Sequence, residues 1–276
     1  MRKTALLIAA AAMFGLGSIV SVQAAEGHIV IQRQPWSFAG PFGTFDRAQL
    51  QRGYRIYKDV CAACHAMKLV SFRNLAQPGG PGFSEAQAKT VAAGFQITDG
   101  PNDKGEMFER PGRLSDHFPS PDPNEQAARA RFNGAYPPDL SVIAKARGVE
   151  AGLPRGLIDI ITQYQEGGPD YLYALLTGYG KPPAGETIGD TQHWNRAFPG
   201  HRISMPPPLS DGQVEYTDGT PATVDQYARD VAAFLMWAAE PHMEARKRIG
   251  FQVMIFLLIF AGLAYYTKKK VWADLH

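Results

Sequence analysis

The sequence predicts a mostly α-helical domain with long loops, followed by one C-terminal membrane-spanning helix. Apolar residues recur at helical spacing within residues 46–60 and again within residues 224–238. The 276-residue chain contains 28 glycines and 21 prolines, which is high for a helical bundle and indicates extensive loops. Residues 249–266 form an apolar run interrupted only by Gln252. A helix of that length spans about 27 Å, close to the hydrocarbon thickness of a bilayer.

The composition excludes several classes of protein. Hydrophobic residues make up 45% of the chain, charged residues 20%, and the formal net charge is +2. These values exclude an intrinsically disordered chain and a polytopic membrane protein. They also argue against a nucleic-acid-binding protein, because such proteins usually carry a strong excess of basic residues. Two cysteines are too few for a disulfide scaffold or a four-cysteine zinc site.

Residues 1–24 are predicted to be a cleaved secretory signal peptide. A short basic start precedes an apolar run at residues 5–20, and small residues lead to a cleavage site after Ala24. The alternative is an uncleaved anchor helix. Either way, the middle of the chain is exported, which makes residues 25–248 a periplasmic domain.

The first helix of that domain is predicted over residues 46–60, with Thr44 as its N-cap. Leu50, Tyr54 and Tyr57 recur on one face of this helix. The helix therefore ends directly at the motif that carries the chemistry.

Residues 61–65 read Cys-Ala-Ala-Cys-His, the attachment motif of c-type haem. The thiols of Cys61 and Cys64 are spaced to add to the two vinyl groups on one porphyrin edge, and the adjacent His65 then binds the iron. Two alternatives are a structural disulfide, which stabilises little across so short a loop, and a thioredoxin-like redox pair, which needs a parallel βαβ pattern. The sequence therefore predicts one covalently bound haem c.

The second axial ligand has several candidates in the exported part of the chain. They are Met67, Met107, Met205, Met236, Met243, His28, His117, His193, His201 and His242. Met67 is too near His65 in sequence to reach the opposite face of the porphyrin. Met236 lies in an apolar helical stretch and is predicted to be a core residue, and Met243 lies in the segment next to the predicted membrane span. Met205 precedes three prolines, which favour an extended loop that can present a thioether. A methionine opposite a histidine raises the haem potential and closes the iron to small ligands.

A second helix follows Pro221 and Thr223 and is predicted to complete the haem cradle. Gly53 and Tyr57 of the first helix are expected to meet its aromatic stripe. Two ordinary core helices would give the same pattern.

The C-terminal anchor is predicted over residues 249–267, with a cytoplasmic tail at residues 268–276. Three basic residues flank each side of the apolar run, so the orientation depends on the signal peptide. Without the juxtamembrane cations, the exported domain holds 20 basic and 25 acidic residues. A soluble partner is therefore expected to be basic.

These features together resemble the cytochrome c1 family across essentially the whole mature chain. The matching segments are GYRIYKDV at 53–60, DGPN at 99–102, GEMF at 105–108, RPGRLSD at 110–116, NGAYPPDLS at 133–141, LLTGY at 175–179, MPPPL at 205–209 and FLMWAAEP at 234–241. The resemblance implies a mostly α, class I-like cytochrome c domain with long loop insertions at residues 67–128 and 141–200.

The resemblance also implies roles for individual residues. Met205 would be the sixth iron ligand opposite His65, and Arg129 would pair with a haem propionate. An arginine is physically sensible there because a buried propionate needs a cation. Pro137, Pro138 and Leu140 would line the haem edge.

The same resemblance implies an electron-transfer subunit of ubiquinol–cytochrome c reductase, with no enzymatic activity of its own. It would sit in the bacterial cytoplasmic membrane beside cytochrome b, in a complex expected to be dimeric. The Rieske iron–sulfur protein would deliver electrons, and a soluble c-type cytochrome would remove them. An acidic stretch could steer a basic acceptor, although an ordinary solvated loop explains it equally well: Asp99, Asp103, Glu106, Glu109, Asp122 and Glu125.

Two other functions remain open at this stage. A free-standing, membrane-anchored haem enzyme or gas sensor would need an open sixth position on the iron. An electron shuttle outside any complex would not need the long insertions. One departure from some bacterial members is the absence of a cysteine pair before Met205, so residues 181–200 are expected to be held by packing alone.

Overall fold

The computed structural model describes residues 29, 31–148, 153 and 155–273. The predicted signal peptide at residues 1–24, the candidate ligand His28 and the last three residues of the tail lie outside this range.

The described residues confirm a mostly α-helical fold with few short strands. Eight α-helices follow one another: α1 (Arg47–Asp59), α2 (Glu85–Ala93), α3 (Glu125–Arg131), α4 (Ile143–Ala146), α5 (Arg155–Thr162), α6 (Gly167–Leu176), α7 (Val224–Ala239) and α8 (Met243–Val271). Four strands form two antiparallel pairs: β1 (Gln96–Asp99) with β2 (Phe108–Pro111), and β3 (His193–Trp194) with β4 (Arg202–Ile203). Short 3₁₀ turns lie at Cys61–Ala63, Phe72–Ala76 and Pro199–His201.

The N-cap of helix α1 lies two residues later than predicted. The prediction of Thr44 was wrong, because the Asp46 carboxylate accepts hydrogen bonds from the backbone N–H groups of Ala48 and Gln49, at 2.9 and 3.2 Å. The Thr44 N–H donates instead to the Ser37 carbonyl, in the turn before the helix. The C-terminal end of α1 leads straight into the 3₁₀ turn of the cysteine motif.

Helices α1 and α7 cross at Gly53, as the sequence predicts. A Cβ added to Gly53 would lie 2.1 Å from the carbonyl oxygen of Asp230 and 2.6 Å from Cβ of Phe234. Only glycine allows so close an approach of the two backbones. The ring of Phe234 lies 5.8 Å from that of Tyr57, so the aromatic contact is also confirmed. Helix α7 begins after Thr223, as predicted, and the Thr223 side chain caps it by accepting from the Gln226 N–H.

A buried ion pair joins the same two helices. Asp230 is fully buried, and the guanidinium of Arg52 donates to it at 2.9 Å, with a further hydrogen bond from Gln226 at 2.9 Å. These bonds compensate the cost of removing the carboxylate from water. The crossing is therefore fixed by shape at Gly53 and by charge at Arg52.

Helix α8 is longer than the predicted anchor and begins with residues that contact the domain. Among the described residues it is the one helix long and apolar enough to cross a membrane, and its apolar window is entirely exposed. Its first turn is tied to the domain, because Glu244 pairs with Arg47 at 2.7 Å and accepts from the Phe45 N–H at 2.9 Å. Lys247 also donates to the Phe38 carbonyl at 2.6 Å. The predicted anchor thus lies inside a longer helix that starts within the domain.

Candidate haem attachment site

The cysteine motif forms one tight turn at the end of α1. The backbone N–H groups of Cys64 and His65 both donate to the carbonyl of Cys61, at 3.1 and 2.9 Å. Both cysteines are free thiols rather than a disulfide. The turn keeps the two thiols and the imidazole within one short segment, which is the arrangement that haem attachment requires.

His65 is presented in the tautomer that a metal ligand needs. Its Nδ1 lies 2.8 Å from the carbonyl oxygen of Pro138. A carbonyl only accepts, so Nδ1 carries the proton and Nε2 keeps a free lone pair. Burial lowers the pKa of His65, although the Pro138 hydrogen bond and the charge of Asp139 oppose that shift. The ring is therefore neutral at pH 7 and suited to bind iron.

The Pro138 carbonyl is held in place by its own neighbours. The Leu140 N–H donates to the Ala66 carbonyl at 2.8 Å, and the Lys68 N–H donates to the Asp139 carboxylate at 3.0 Å. The Ser141 hydroxyl accepts from the Leu69 N–H at 3.0 Å. Residues 138–141 are thus clamped to the segment that follows His65.

Asp139 is the charged member of this clamp. Burial favours its neutral form, but hydrogen bonds from the backbone of Lys68 and from Ser141 outweigh burial and lower its pKa. The carboxylate is therefore ionised at neutral pH and accepts both bonds.

Helix α3 places two arginines differently. Arg129 pairs with Glu125 at 2.7 Å, donates to the Gly134 carbonyl at 2.8 Å and lies over the ring of Tyr136. Arg131 donates instead to the Ala63 carbonyl inside the cysteine motif, at 2.8 Å. The sequence points to Arg129 for a propionate, a role that the contacts of Arg131 do not test, and it gives no signal for Arg131 in the same short helix. Arg131 is thus the arginine in direct contact with the motif.

Met205 lies in a different hydrogen-bonded unit. The hydroxyl of Tyr179 donates to the Met205 carbonyl at 3.1 Å, and β3 and β4 pair just before the methionine. The hydrogen bond described for Met205 comes from Tyr179, whereas His65 is bonded to Pro138. The two predicted iron ligands are therefore held by different segments of the chain. Burial raises the pKa of Tyr179, so its hydroxyl stays protonated and remains a donor.

The expectation that residues 181–200 are held by packing alone was wrong. Asn195 is fully buried, and its side chain donates to the Leu175 carbonyl at 2.7 Å and accepts from the Ala197 N–H at 2.9 Å. Its backbone N–H donates to the His201 carbonyl at 2.9 Å. A buried amide thus ties this loop to the end of α6, and no sequence spacing pointed to it.

The other candidate axial ligands are placed unfavourably. Met67, Met236 and Met243 are buried in the hydrophobic core, and Met107 is 60% exposed in a loop. His201 uses its Nδ1 on the Asn195 carbonyl at 3.1 Å and stacks on Trp194. His117 and His242 are exposed, and His193 belongs to β3. Met205, by contrast, is only partly buried.

Part of the negative charge in the acidic stretch between Asp99 and Glu125 is balanced by neighbouring arginines. Asp99 pairs with Arg110, Asp122 with Arg131 at 3.2 Å, and Glu125 with Arg129. Three of the six carboxylates predicted to attract a basic partner are therefore paired with arginines of this chain.

The thioredoxin-like alternative does not fit the structure. The described strands pair only as antiparallel two-stranded sheets, and the motif follows a helix. Burial raises the pKa of the Cys61 thiol to about 12, with a smaller contribution from Cys64. A reactive redox cysteine needs a lowered pKa instead.

Comparisons with known proteins identify the family of this chain. A family model described as the Cytochrome C1 family matches residues 36–275. A cytochrome b/c1 of Bradyrhizobium diazoefficiens is 60% identical over 271 residues, which cover 98% of this chain and 39% of that protein. A cytochrome c1 of Blastochloris viridis is 49% identical over 95% of this chain and 93% of that protein. A mitochondrial cytochrome c1 heme protein of Solanum tuberosum is 46% identical over 95% of this chain and 93% of that protein.

Proposed function

Because the chain belongs to the cytochrome c1 family, which implies a haem cofactor, we propose that it is a membrane-anchored carrier of single electrons. Cys61 and Cys64 hold one haem c covalently. The observation that carries this proposal is the 2.8 Å hydrogen bond between Nδ1 of His65 and the Pro138 carbonyl. It leaves Nε2 of a neutral imidazole free at the residue next to the attachment cysteines.

His65 and Met205 would be the two protein ligands of the haem iron in this proposal. When bound, the haem would supply one-electron redox chemistry, and the chain would supply its position and tune its potential. Burial of Met67, Met236 and Met243 in the core supports Met205 as the methionine. The Tyr179 hydrogen bond supports it further, because it fixes the backbone that presents the thioether.

Four further residues would line the haem in this proposal. Arg129 offers a cation to a propionate, and Pro138 and Leu140 border the haem edge together with Pro137. The clamp between Leu140 and Ala66 supports the edge residues, since it holds them beside the motif. Arg129 is already satisfied by Glu125 and Gly134, so a propionate would have to replace part of that set.

The partners follow from the family. We assign the chain to ubiquinol–cytochrome c reductase, where it takes electrons from the Rieske iron–sulfur protein and passes them to a soluble c-type cytochrome. The name of the Bradyrhizobium relative joins cytochrome b and c1, and this chain spans 39% of its length, which supports cytochrome b as the neighbouring subunit. The complex is expected to be dimeric, and the subunit performs no quinone chemistry itself.

Helix α8 anchors the chain in the bacterial cytoplasmic membrane. After removal of residues 1–24, the haem domain lies in the periplasm and the residues after 267 lie in the cytoplasm. The exposed apolar window of α8 supports the span. The export signal supports the direction.

The axial assignment is tested by the absorption spectra of Met205→Ala in both oxidation states. We expect the mutation to abolish the near-infrared sulfur-to-iron band, lower the potential and permit carbon monoxide binding. Met107→Ala is the matched control, because Met107 is exposed and should change none of these. An unchanged Met205→Ala spectrum would return the haem enzyme or sensor to consideration. Co-purification with a b-type cytochrome separates a complex subunit from a free shuttle.

A further inference from the structure

Helix α5 presents its apolar side chains outward and its acidic side chain inward. Leu157, Ile158, Ile160 and Ile161 are 57%, 52%, 74% and 82% exposed. At 100° per residue they cover about 160° of the helix circumference. On the opposite side, Asp159 pairs with Arg33 at 2.5 Å and its side chain is only 18% exposed. This orientation is the reverse of that of a surface helix in a water-soluble domain.

Helix α5 lies at the end of the domain from which the anchor emerges. A Cβ added to Gly40 would lie 4.0 Å from the carbonyl oxygen of Thr162, the last residue of α5. Two residues further on, the ring of Phe42 packs edge-on against Phe251 of α8, with 5.6 Å between centroids. The turn at residues 40–43 therefore bridges α5 and the start of the apolar run.

A cavity of about 690 Å³ continues this surface along α8. It is lined by apolar groups, including Phe42, Phe251 and Ile255, and by the cations Lys247 and Arg248. Phe42 itself is 74% exposed. An apolar surface bordered by cationic side chains matches the boundary between acyl chains and lipid headgroups.

We propose that α5 is a second membrane contact, lying in the outer-leaflet interface beside the anchor. Its aliphatic face and Phe42 enter the boundary of headgroups and acyl chains, while the exposed Arg155 and Arg248 meet the phosphates. This proposal rests on the proposed membrane span of α8. Its consequence is a domain fixed at two points, which limits tilting about the single anchor.

The composition of the exposed face favours lipid over another protein. The face of α5 consists of leucine and isoleucine alone, whereas protein interfaces concentrate their energy in aromatic residues and arginine. This face also continues through Phe42 to Phe251 of α8, the proposed membrane span. Lipid surrounds a membrane-spanning helix wherever no other protein covers it.

The proposal is tested by nitroxide labels on the full-length holoprotein in nanodiscs of phosphatidylcholine and phosphatidylglycerol. The native cysteines are taken up by haem, so a single introduced cysteine is labelled selectively. Ile161→Cys reports on α5, Met107→Cys is an exposed control, and Leu258→Cys reports on the anchor. Collision with oxygen, which concentrates in lipid, is compared with collision with a water-soluble nickel chelate. Each label is measured on the chain alone and in the assembled complex.

We expect Ile161→Cys to resemble Leu258→Cys in both samples, with a high oxygen-to-nickel ratio, while Met107→Cys stays aqueous. If Ile161→Cys is aqueous while Leu258→Cys is in lipid, the α5 proposal is wrong and the anchor stands. If Ile161→Cys becomes shielded from both reagents only in the complex, another subunit covers α5 and the lipid assignment is overturned. An aqueous Leu258→Cys would overturn the anchor and, with it, the α5 contact.

Discussion

Asp139 connects the sequence motif PPDLS to the geometry of His65. Its carboxylate accepts from the backbone of Lys68 and of Ser141, at 3.0 and 2.8 Å, and so fixes the segment whose Pro138 carbonyl orients the imidazole. A carboxylate suits this position because it offers acceptor lone pairs to two N–H groups at once.

Asp139→Asn should lower the unfolding free energy by about 1–3 kcal/mol at pH 7, since an amide replaces one acceptor by a donor. The pKa of Asp139 is lowered in the folded state, so its contribution is full above the unfolded pKa of about 3.9 and is lost as pH falls through the lower folded value. Denaturant unfolding between pH 7 and pH 3 should show the difference from wild type shrinking below about pH 4. Asp103→Asn, at an exposed carboxylate, is the control.

Tyr179→Phe removes the one side-chain hydrogen bond described for the Met205 backbone. We expect a loss of about 1 kcal/mol in unfolding free energy, and a sixth ligand that is more easily displaced. Carbon monoxide titration of the reduced protein measures the second effect. An unaltered affinity would show that the three prolines after Met205 are sufficient to hold the thioether. Tyr173→Phe, whose hydroxyl contacts Asp225 rather than this loop, separates a local effect from a general one.

At the scale of elements, the crossing of α1 and α7 depends on the missing side chain at Gly53. The space there is too small for a methyl group, because the Asp230 carbonyl is backbone and cannot rotate away. The ion pair between Arg52 and Asp230 would be stretched by any separation of the helices.

Gly53→Ala should therefore destabilise the domain by about 3 kcal/mol, at the upper end for overpacking, despite the better helix propensity of alanine. Thermal unfolding followed by circular dichroism measures this effect. Gly250→Ala is the matched control, since it is also a helical glycine but has no atom within 4 Å of the added Cβ. Equal Tm values for the two variants would contradict the close crossing.

At the scale of the whole molecule, charge is distributed by segment. Residues 1–24 and the segments that flank the apolar run of α8 hold 8 of the 28 basic residues, which leaves residues 25–245 with 20 basic and 25 acidic residues. Local pairing with Arg110, Arg129 and Arg131 then reduces the field around the acidic stretch. We therefore expect only a moderate long-range attraction for a basic partner.

Electron transfer to a basic soluble c-type cytochrome should therefore slow as ionic strength rises, by less than the formal charges suggest. Stopped-flow rates at several salt concentrations give the slope. An acidic c-type cytochrome should show the opposite slope, and a flat response to the basic partner would contradict electrostatic steering by this domain.

The sequence alone determined the parts of this protein that depend on local spacing. The Cys-Ala-Ala-Cys-His motif, the two helices that cross at Gly53, and the apolar run within α8 each follow from residues a few positions apart. The family resemblance rested on such short segments, and the comparisons confirm it. Even the misplaced cap at Thr44 was a local error, because Asp46, which caps the helix, lies only two residues further along the chain.

Only the tertiary structure decided how distant segments meet. Pro138 reaches His65, Arg131 rather than Arg129 reaches Ala63, and Asn195 ties its loop to α6. The outward orientation of the apolar face of α5 is also decided by the tertiary structure. Periodicity in the sequence predicts that a helix has an apolar face but not the direction in which that face points. Each of these contacts joins residues brought together by chain folding, where hydrogen-bond satisfaction and exclusion of water set the partner rather than spacing along the sequence.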